Sequence, residues 1–142
     1  MNRKGIILSG GLGTRLFPAT ISISKQIIPV YDKPMIYYSL STLMQAGIRE
    51  ILIISSPEHI NFFKKLFNDG SHLGIRINYM IQEKPEGIAQ SFLIAEDFIG
   101  DSSVSLILGD NIFFSSSLDE KLEEISKTDV SSIFAFHVKE PS

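Results

Sequence analysis

Apolar residues gather in short runs separated by polar stretches rich in glycine and proline. The first run, Ile6-Ile7-Leu8, stops at Ser9-Gly10-Gly11. A run of this length bounded by turn residues predicts a buried strand feeding a glycine-rich loop. The loop continues through Pro18 and Pro29 to Pro34, carrying Arg15, Lys25 and several hydroxyls. Long irregular loops in compact domains are usually functional or disordered, and these cations and hydroxyls favour function. From Pro34 the apolar period becomes helical, with Met35, Ile36, Leu40, Leu43 and Met44 near one face and Gly47 as the stop. Residues 51–54 form a second apolar run and predict a second strand.

Ser56-Pro57-Glu58 has the order of a helix start: a hydroxyl cap, proline in the first position and an acid in the first turn. Ile60, Phe63 and Phe67 supply that helix's buried face, and Asn68-Asp69-Gly70 ends it. Residues 75–81 alternate and predict a third strand, followed by a loop over 82–87. Ile88, Phe92, Ala95 and Ile99 mark one further helix, ended by Gly100. Residues 104–108 predict a fourth strand running into Gly109-Asp110-Asn111. Ser117-Leu118-Asp119-Glu120 has capping-box form and opens a helix to about residue 127. Residues 133–138 are mostly apolar and predict an internal fifth strand.

Strand followed by helix, repeated along the chain, predicts an α/β fold: a Rossmann-like three-layer sandwich with a mostly parallel central sheet and right-handed crossovers. The 142 residues suit one domain, at roughly 100 to 200 residues per domain. The 44% hydrophobic and 20% charged content is that of an ordinary globular protein. Without cysteine, disulfide scaffolds, zinc-thiolate sites and cysteine nucleophiles are excluded, and the composition suits the cytoplasm. A net charge of -3 argues against a dedicated nucleic-acid binder. No apolar run approaches the ~20 residues of a membrane span, and the run after Gly5 is too short for a signal-peptide core.

Ligands of open α/β sheets bind beyond the carboxyl ends of the strands. Three segments fall there: residues 10–15, 82–87 and 109–111. In the first, Gly10, Gly11 and Gly13 let backbone N–H groups converge on an anion, and Arg15 adds a fork suited to phosphate. A plain tight turn is the alternative. The dinucleotide G-x-G-x-x-G fingerprint fails at Leu16, and the second strand ends at Ser55-Ser56 instead of an acid, which disfavours a nicotinamide dehydrogenase. The G-x-x-x-x-G-K-[ST] phosphate loop fails as well. Lys25 shares the loop with Arg15, so both cations can address the same phosphates. Asp110 suits either a hard cation bridging phosphate oxygens or an Asx turn. Asp32 and Asp129 read as solvated or capping. His59, His72 and His137 lack metal-ligand spacing; His59, in a helix first turn, and His137, on an apolar strand, read as structural, and Tyr37-Tyr38 and Phe62-Phe63 as helix packing.

Taken together, Gly10-Gly11-Leu12-Gly13-Thr14-Arg15-Leu16, Pro18, Thr20, Ser24-Lys25-Gln26 and Pro29-Val30-Tyr31-Asp32-Lys33-Pro34-Met35-Ile36 resemble the signature of the sugar nucleotidyltransferase family. Pro85-Glu86-Gly87-Ile88-Ala89-Gln90-Ser91-Phe92 and Leu108-Gly109-Asp110-Asn111-Ile112-Phe113 are similar to its glucose-1-phosphate thymidylyltransferase subgroup. The resemblance implies attack of glucose 1-phosphate on dTTP, giving dTDP-glucose and pyrophosphate, the first step toward dTDP-rhamnose. It implies that Gly10, Gly11, Gly13 and Thr14 cradle the triphosphate. Arg15 and Lys25 then act in catalysis, on the leaving pyrophosphate and on the α-phosphate with the sugar phosphate. Gln26, Gln82 and Gly87 contact thymidine, and Asp110 ligates Mg²⁺ with Asn111 beside it. Ser9 departs from the family's usual alanine, and Leu12 from its usual small polar residue. Family members continue past position 142 with a sugar-binding half carrying a second metal-binding aspartate, and usually form homo-oligomers. The chain is therefore expected to be the nucleotide-binding part, with little activity alone. A non-catalytic nucleotide-binding module and a UTP-using relative stay open beside that reading.

Overall fold

The computed structural model describes residues 3–11, 13–128 and 130–135. Strand β1 (Arg3–Ser9) opens the chain. The glycine-rich loop holds two single 3-10 turns, Thr14–Leu16 and Lys25–Ile27, and closes in a two-residue hairpin of β2 (Pro29–Val30) and β3 (Lys33–Pro34). Helix α1 (Ile36–Gln45), strand β4 (Glu50–Ser55), helix α2 (Ile60–Phe67) and strand β5 (Arg76–Ile81) follow. Two short helices, α3 (Gln90–Ile94) and α4 (Glu96–Ile99), lead to β6 (Ser103–Leu108) and then α5 (Leu118–Ser126).

The main sheet has the order β5-β4-β1-β6, and every pairing in it is parallel. Parallel strands covered on both faces are apolar at successive positions, which is why the runs at 6–8 and 51–54 are continuous. Ile7, Ile51, Ile53 and Ile107 turn to one face, against Ile36, Leu40 and Leu43 of α1 and Phe63 and Phe67 of α2. Ile6, Leu52 and Ile54 turn to the other, against Ala95 and Phe98. This is the three-layer sandwich expected from the alternation. Among the described residues, no helix is long and apolar enough to cross a membrane.

Several local expectations are corrected. Helix α2 starts at Ile60, one turn later than the Ser56-Pro57 signal. The Ser56 carbonyl accepts from the N–H groups of His59 and Ile60, while its hydroxyl lies 3.2 Å from His59 Nδ1 and caps no backbone N–H. The single helix expected from 88 to 99 divides at Ala95, whose backbone (φ -91°, ψ 6°) leaves the helical range. Ser117 forms no capping box, because its hydroxyl sits 3.4 Å from that of Ser115. The expected strand at 133–138 is not present over 133–135. There Ile133 is exposed and Phe134 packs edge-on against Phe113, with 5.5 Å between ring centroids. Residues 136–138, with His137, and Asp129 lie outside the described residues.

Candidate active site

The parallel sheet puts the carboxyl ends of β1, β4, β5 and β6 along one edge, and a cleft of about 230 Å³ opens there. All three segments singled out from the sequence reach it. Gly10 and Gly11 come from the first, Gln82, Pro85 and Gly87 from the second, Asp110 from the third, with Gln26 between them. Leu8, Ile88 and Leu108 supply the apolar lining. A few polar groups on an apolar floor is the usual make-up of a small-molecule site.

Glycine is needed at two points of this edge because backbones and side chains approach closely. A Cβ on Gly10 would collide with the amide oxygen of Gln82. One on Gly109 would collide with the Ser9 hydroxyl and stand 3.0 Å from Gln26 Cγ. Both glutamines are buried, and each is held from behind. The Ser24 hydroxyl donates to Gln26 Oε1 at 2.5 Å, and Gln82 Nε2 donates to Gln90 Oε1 at 2.6 Å. The Thr20 hydroxyl donates to the Gly13 carbonyl at 2.8 Å and fixes the glycine loop.

The structure joins two candidates that the sequence places far apart. Lys25 Nζ lies 2.8 Å from Asp110 Oδ2, and both side chains are about one-third exposed. Asp110 lines the cleft and Lys25 does not, so the pair sets a cation beside a cleft carboxylate. Asp110 Oδ1 takes no hydrogen bond from a described residue. No group of three or more His, Asp or Glu side chains gathers around a possible ion among the described residues. One carboxylate completed by substrate phosphates and water is nonetheless a common Mg²⁺ arrangement, so the donor set fits. Asn111 faces a neighbouring groove of about 470 Å³ that shares Asp110 with the cleft.

Other candidates stand apart from the cleft. Thr14 and Arg15 are exposed on the 3-10 turn after Gly13, and neither lines the cleft. Gly13 does not line it either, and Thr20 and the Lys25 stem lie close beside Gly13. Leu12 lies outside the described residues. Asp32 is exposed and paired with Lys33 at 2.5 Å, as befits a solvated turn. His59 lies at the start of α2 and His72 in a 3-10 turn over Ser71–Leu73, and neither lines the cleft. Sequence reasoning missed Ser39, whose hydroxyl donates to the carbonyls of Leu108 and Asn111 at 2.9 and 3.0 Å and braces the turn bearing Asp110. Its signal was present: a polar residue beside Leu40, on the buried side of α1.

The chain matches the Nucleotidyl transferase family over residues 4–142. It is 55% identical to a glucose-1-phosphate thymidylyltransferase of Neisseria gonorrhoeae, over 97% of this chain and 48% of that protein. It is 52% identical to one of Mycobacterium tuberculosis, over 98% of this chain and 48% of the other. The chain thus spans about half the length of the curated relatives it matches. Among solved structures it resembles a Bacillus anthracis protein named as a glucose-1-phosphate thymidylyltransferase, in complex with sucrose. There the TM-score is 0.82 and the identity 38%, covering 89% of this chain and 51% of that one. A UDP-glucose pyrophosphorylase complexed with UDP-glucose gives a TM-score of 0.74 at 25% identity, over 89% and 52% of the two chains. The parallel sheet, the glycine loop at its carboxyl edge and a match spanning nearly every residue lead to one assignment: the chain belongs to the nucleotidyl transferase family.

Proposed function

We infer that this chain is the nucleotide-binding part of a glucose-1-phosphate thymidylyltransferase, which makes dTDP-glucose and pyrophosphate from dTTP and α-D-glucose 1-phosphate. The observation that carries the reading is the convergence of Gly10, Gly11, Gln82, Gly87 and Asp110 on one cleft, with Lys25 paired to Asp110 beside it. The thymidylyltransferase relatives, at 52–55% identity, favour this substrate pair.

In the reaction, a phosphate oxygen of glucose 1-phosphate bonds to the α-phosphorus of dTTP, and the bond from that phosphorus to the bridging oxygen breaks. Such a displacement needs positioning and charge neutralisation more than proton transfer, so a site without histidine suits it. The backbone at Gly10, Gly11, Gly13 and Thr14 cradles the triphosphate. Lys25 moves from Asp110 to the α-phosphate and the incoming sugar phosphate. Arg15, exposed and able to swing, meets the leaving pyrophosphate. Gln26, Gln82 and Gly87 hold the thymidine. Asp110, with Asn111 beside it, would hold Mg²⁺, which supplies charge neutralisation at the phosphates when bound.

A UTP-using enzyme is the second reading, favoured by the likeness to the UDP-glucose pyrophosphorylase. Equilibrium titration of the chain with dTTP, UTP and NAD⁺ in the presence of Mg²⁺ separates the possibilities. Tightest binding of dTTP supports the first reading and tightest binding of UTP the second. Preference for NAD⁺ overturns both.

A further inference from the structure

Gln82 directly follows β5, with its backbone N–H bonded to the Ser55 carbonyl at 2.9 Å, and it is only 3% exposed. Its amide Nε2 donates to Gln90 Oε1 at 2.6 Å. Gln90 is itself held at both ends by one residue. Its Oε1 accepts from the Glu86 backbone N–H at 3.2 Å, and its Nε2 donates to Glu86 Oε2 at 3.0 Å. The two ends of an amide have nearly the same shape and opposite hydrogen-bonding character. A backbone N–H can only donate, and an ionised carboxylate can only accept. Glu86 therefore fixes which way Gln90 points. Gln90 then presents an acceptor to Gln82, so Gln82 must answer with Nε2 and turn Oε1 the other way.

That oxygen lies in the space a Cβ on Gly10 would fill, at the cleft wall. No described residue donates to it. An acceptor at the cleft wall that no described residue satisfies is free to take a donor from a ligand. We propose that Glu86 and Gln90 are positioning residues that lock the Gln82 amide with its oxygen toward the cleft, so that the site selects pyrimidines carrying an imide N–H. Thymine and uracil offer that donor at N3. Cytosine puts a lone pair at the same place, against the Gln82 oxygen. Specificity thus comes from the polarity of a three-residue relay, two members of which need not touch the base. The inference rests on the nucleotide reading above and deepens it.

The test is equilibrium binding of dTTP and dCTP, with Mg²⁺, to the full chain and three variants whose folding is followed by circular dichroism. The wild-type chain should bind dTTP about tenfold or more over dCTP, the scale of one satisfied against one opposed buried hydrogen bond. Gln90→Leu, which frees Gln82 to flip, should cut that ratio by about fivefold or more. Glu86→Ala lies on an exposed loop where folding is not at stake, and should lower it roughly threefold. The double change Glu86→Gln with Gln90→Glu reverses the bond between positions 86 and 90. It leaves a carboxylate at 90 that accepts from Gln82, and it should retain the wild-type ratio. An unchanged ratio in Glu86→Ala and in a folded Gln90→Leu overturns the relay while leaving nucleotide binding intact. Loss of the ratio in the double variant overturns it too. Failure of the wild-type chain to bind either nucleotide overturns the nucleotide reading itself, and the relay with it.

Discussion

At the scale of single residues, Lys25 and Asp110 set opposite charges 2.8 Å apart beside the cleft, so that each can address a different part of a metal–phosphate ligand. Their pair is about one-third exposed, so it adds at most ~1 kcal/mol to stability. Asp110→Ala is therefore expected to leave folding nearly intact. In the whole protein it should slow turnover by about tenfold or more, or ~1.4 kcal/mol of barrier. Arg15→Ala is expected to cost a similar factor, and unchanged steady-state kinetics in either variant would remove its assigned role. Ser9 makes the opposite case. Its hydroxyl is fully buried and has no hydrogen-bond partner among the described residues. Ser9→Ala removes an unsatisfied polar atom, and urea unfolding should show a gain of about 1 kcal/mol. Tyr79 links a side chain to pH. Burial, with a smaller contribution from the Asp69 charge, pushes its hydroxyl up from 10.0 to about 12. The native state thus holds this proton more tightly than the unfolded chain. The associated stability is complete below pH 10 and is lost as pH rises toward 12. Tyr79→Phe starts lower, having lost the hydroxyl that lies 2.6 Å from the Asn68 carbonyl. Its urea midpoint should then fall less than the wild type's across that alkaline window, and parallel curves would contradict the assignment.

At the scale of elements, packing on both faces of the sheet decides what forms. Phe63 and Phe67 of α2 are fully buried against β4 and β5 residues. Phe63→Ala is expected to cost about 3 to 5 kcal/mol, the range for emptying an aromatic site in a core, measurable from the shift in denaturant midpoint. A cost under 1 kcal/mol would mean that α2 is not an integral part of the core. The four strands of the main sheet and the helices α1 and α2 are legible in the sequence for the same reason: their apolar periods report burial directly, whereas the short β2–β3 hairpin has no such period. Helix starts were less legible, since a hydroxyl before a helix can be spent elsewhere. Ser56 pairs with His59 and Ser117 with Ser115, so neither makes the cap that its spacing promised. The stretch 88–99 has a helical period, but nothing in that period marks Ala95 as the break between α3 and α4. Residues 133–135 are apolar like a strand, yet apolar character alone supplies no neighbouring strand to pair with.

At the scale of the whole molecule, the parallel sheet is what turns scattered segments into a site. The sequence marked the segments, because glycines and polar residues after apolar runs sit at strand ends. It could not show that Lys25 meets Asp110, 85 positions away, or that Arg15 stays on the flank, since both depend on the path of an irregular loop. The same geometry separates binding from turnover. The cleft residues that would hold the nucleotide lie among the described residues, while the chain spans about half the length of its thymidylyltransferase relatives. Nucleotide binding should therefore be measurable with these 142 residues, and efficient transfer should require the whole protein. A ligand at 100 times its dissociation constant stabilises the native state by roughly 2.7 kcal/mol. For a chain of this size that corresponds to a rise in Tm of roughly 9 °C. dTTP with Mg²⁺ is expected to produce a rise of that order and glucose 1-phosphate alone much less. Pyrophosphate release by the chain should stay below about a hundredth of that of the Neisseria gonorrhoeae relative assayed beside it, or ~2.7 kcal/mol of barrier. A thermal shift with dTTP accompanied by turnover at the relative's rate would show that the described cleft already contains the full catalytic machinery. No shift with dTTP would move the nucleotide site away from the carboxyl edge of this sheet.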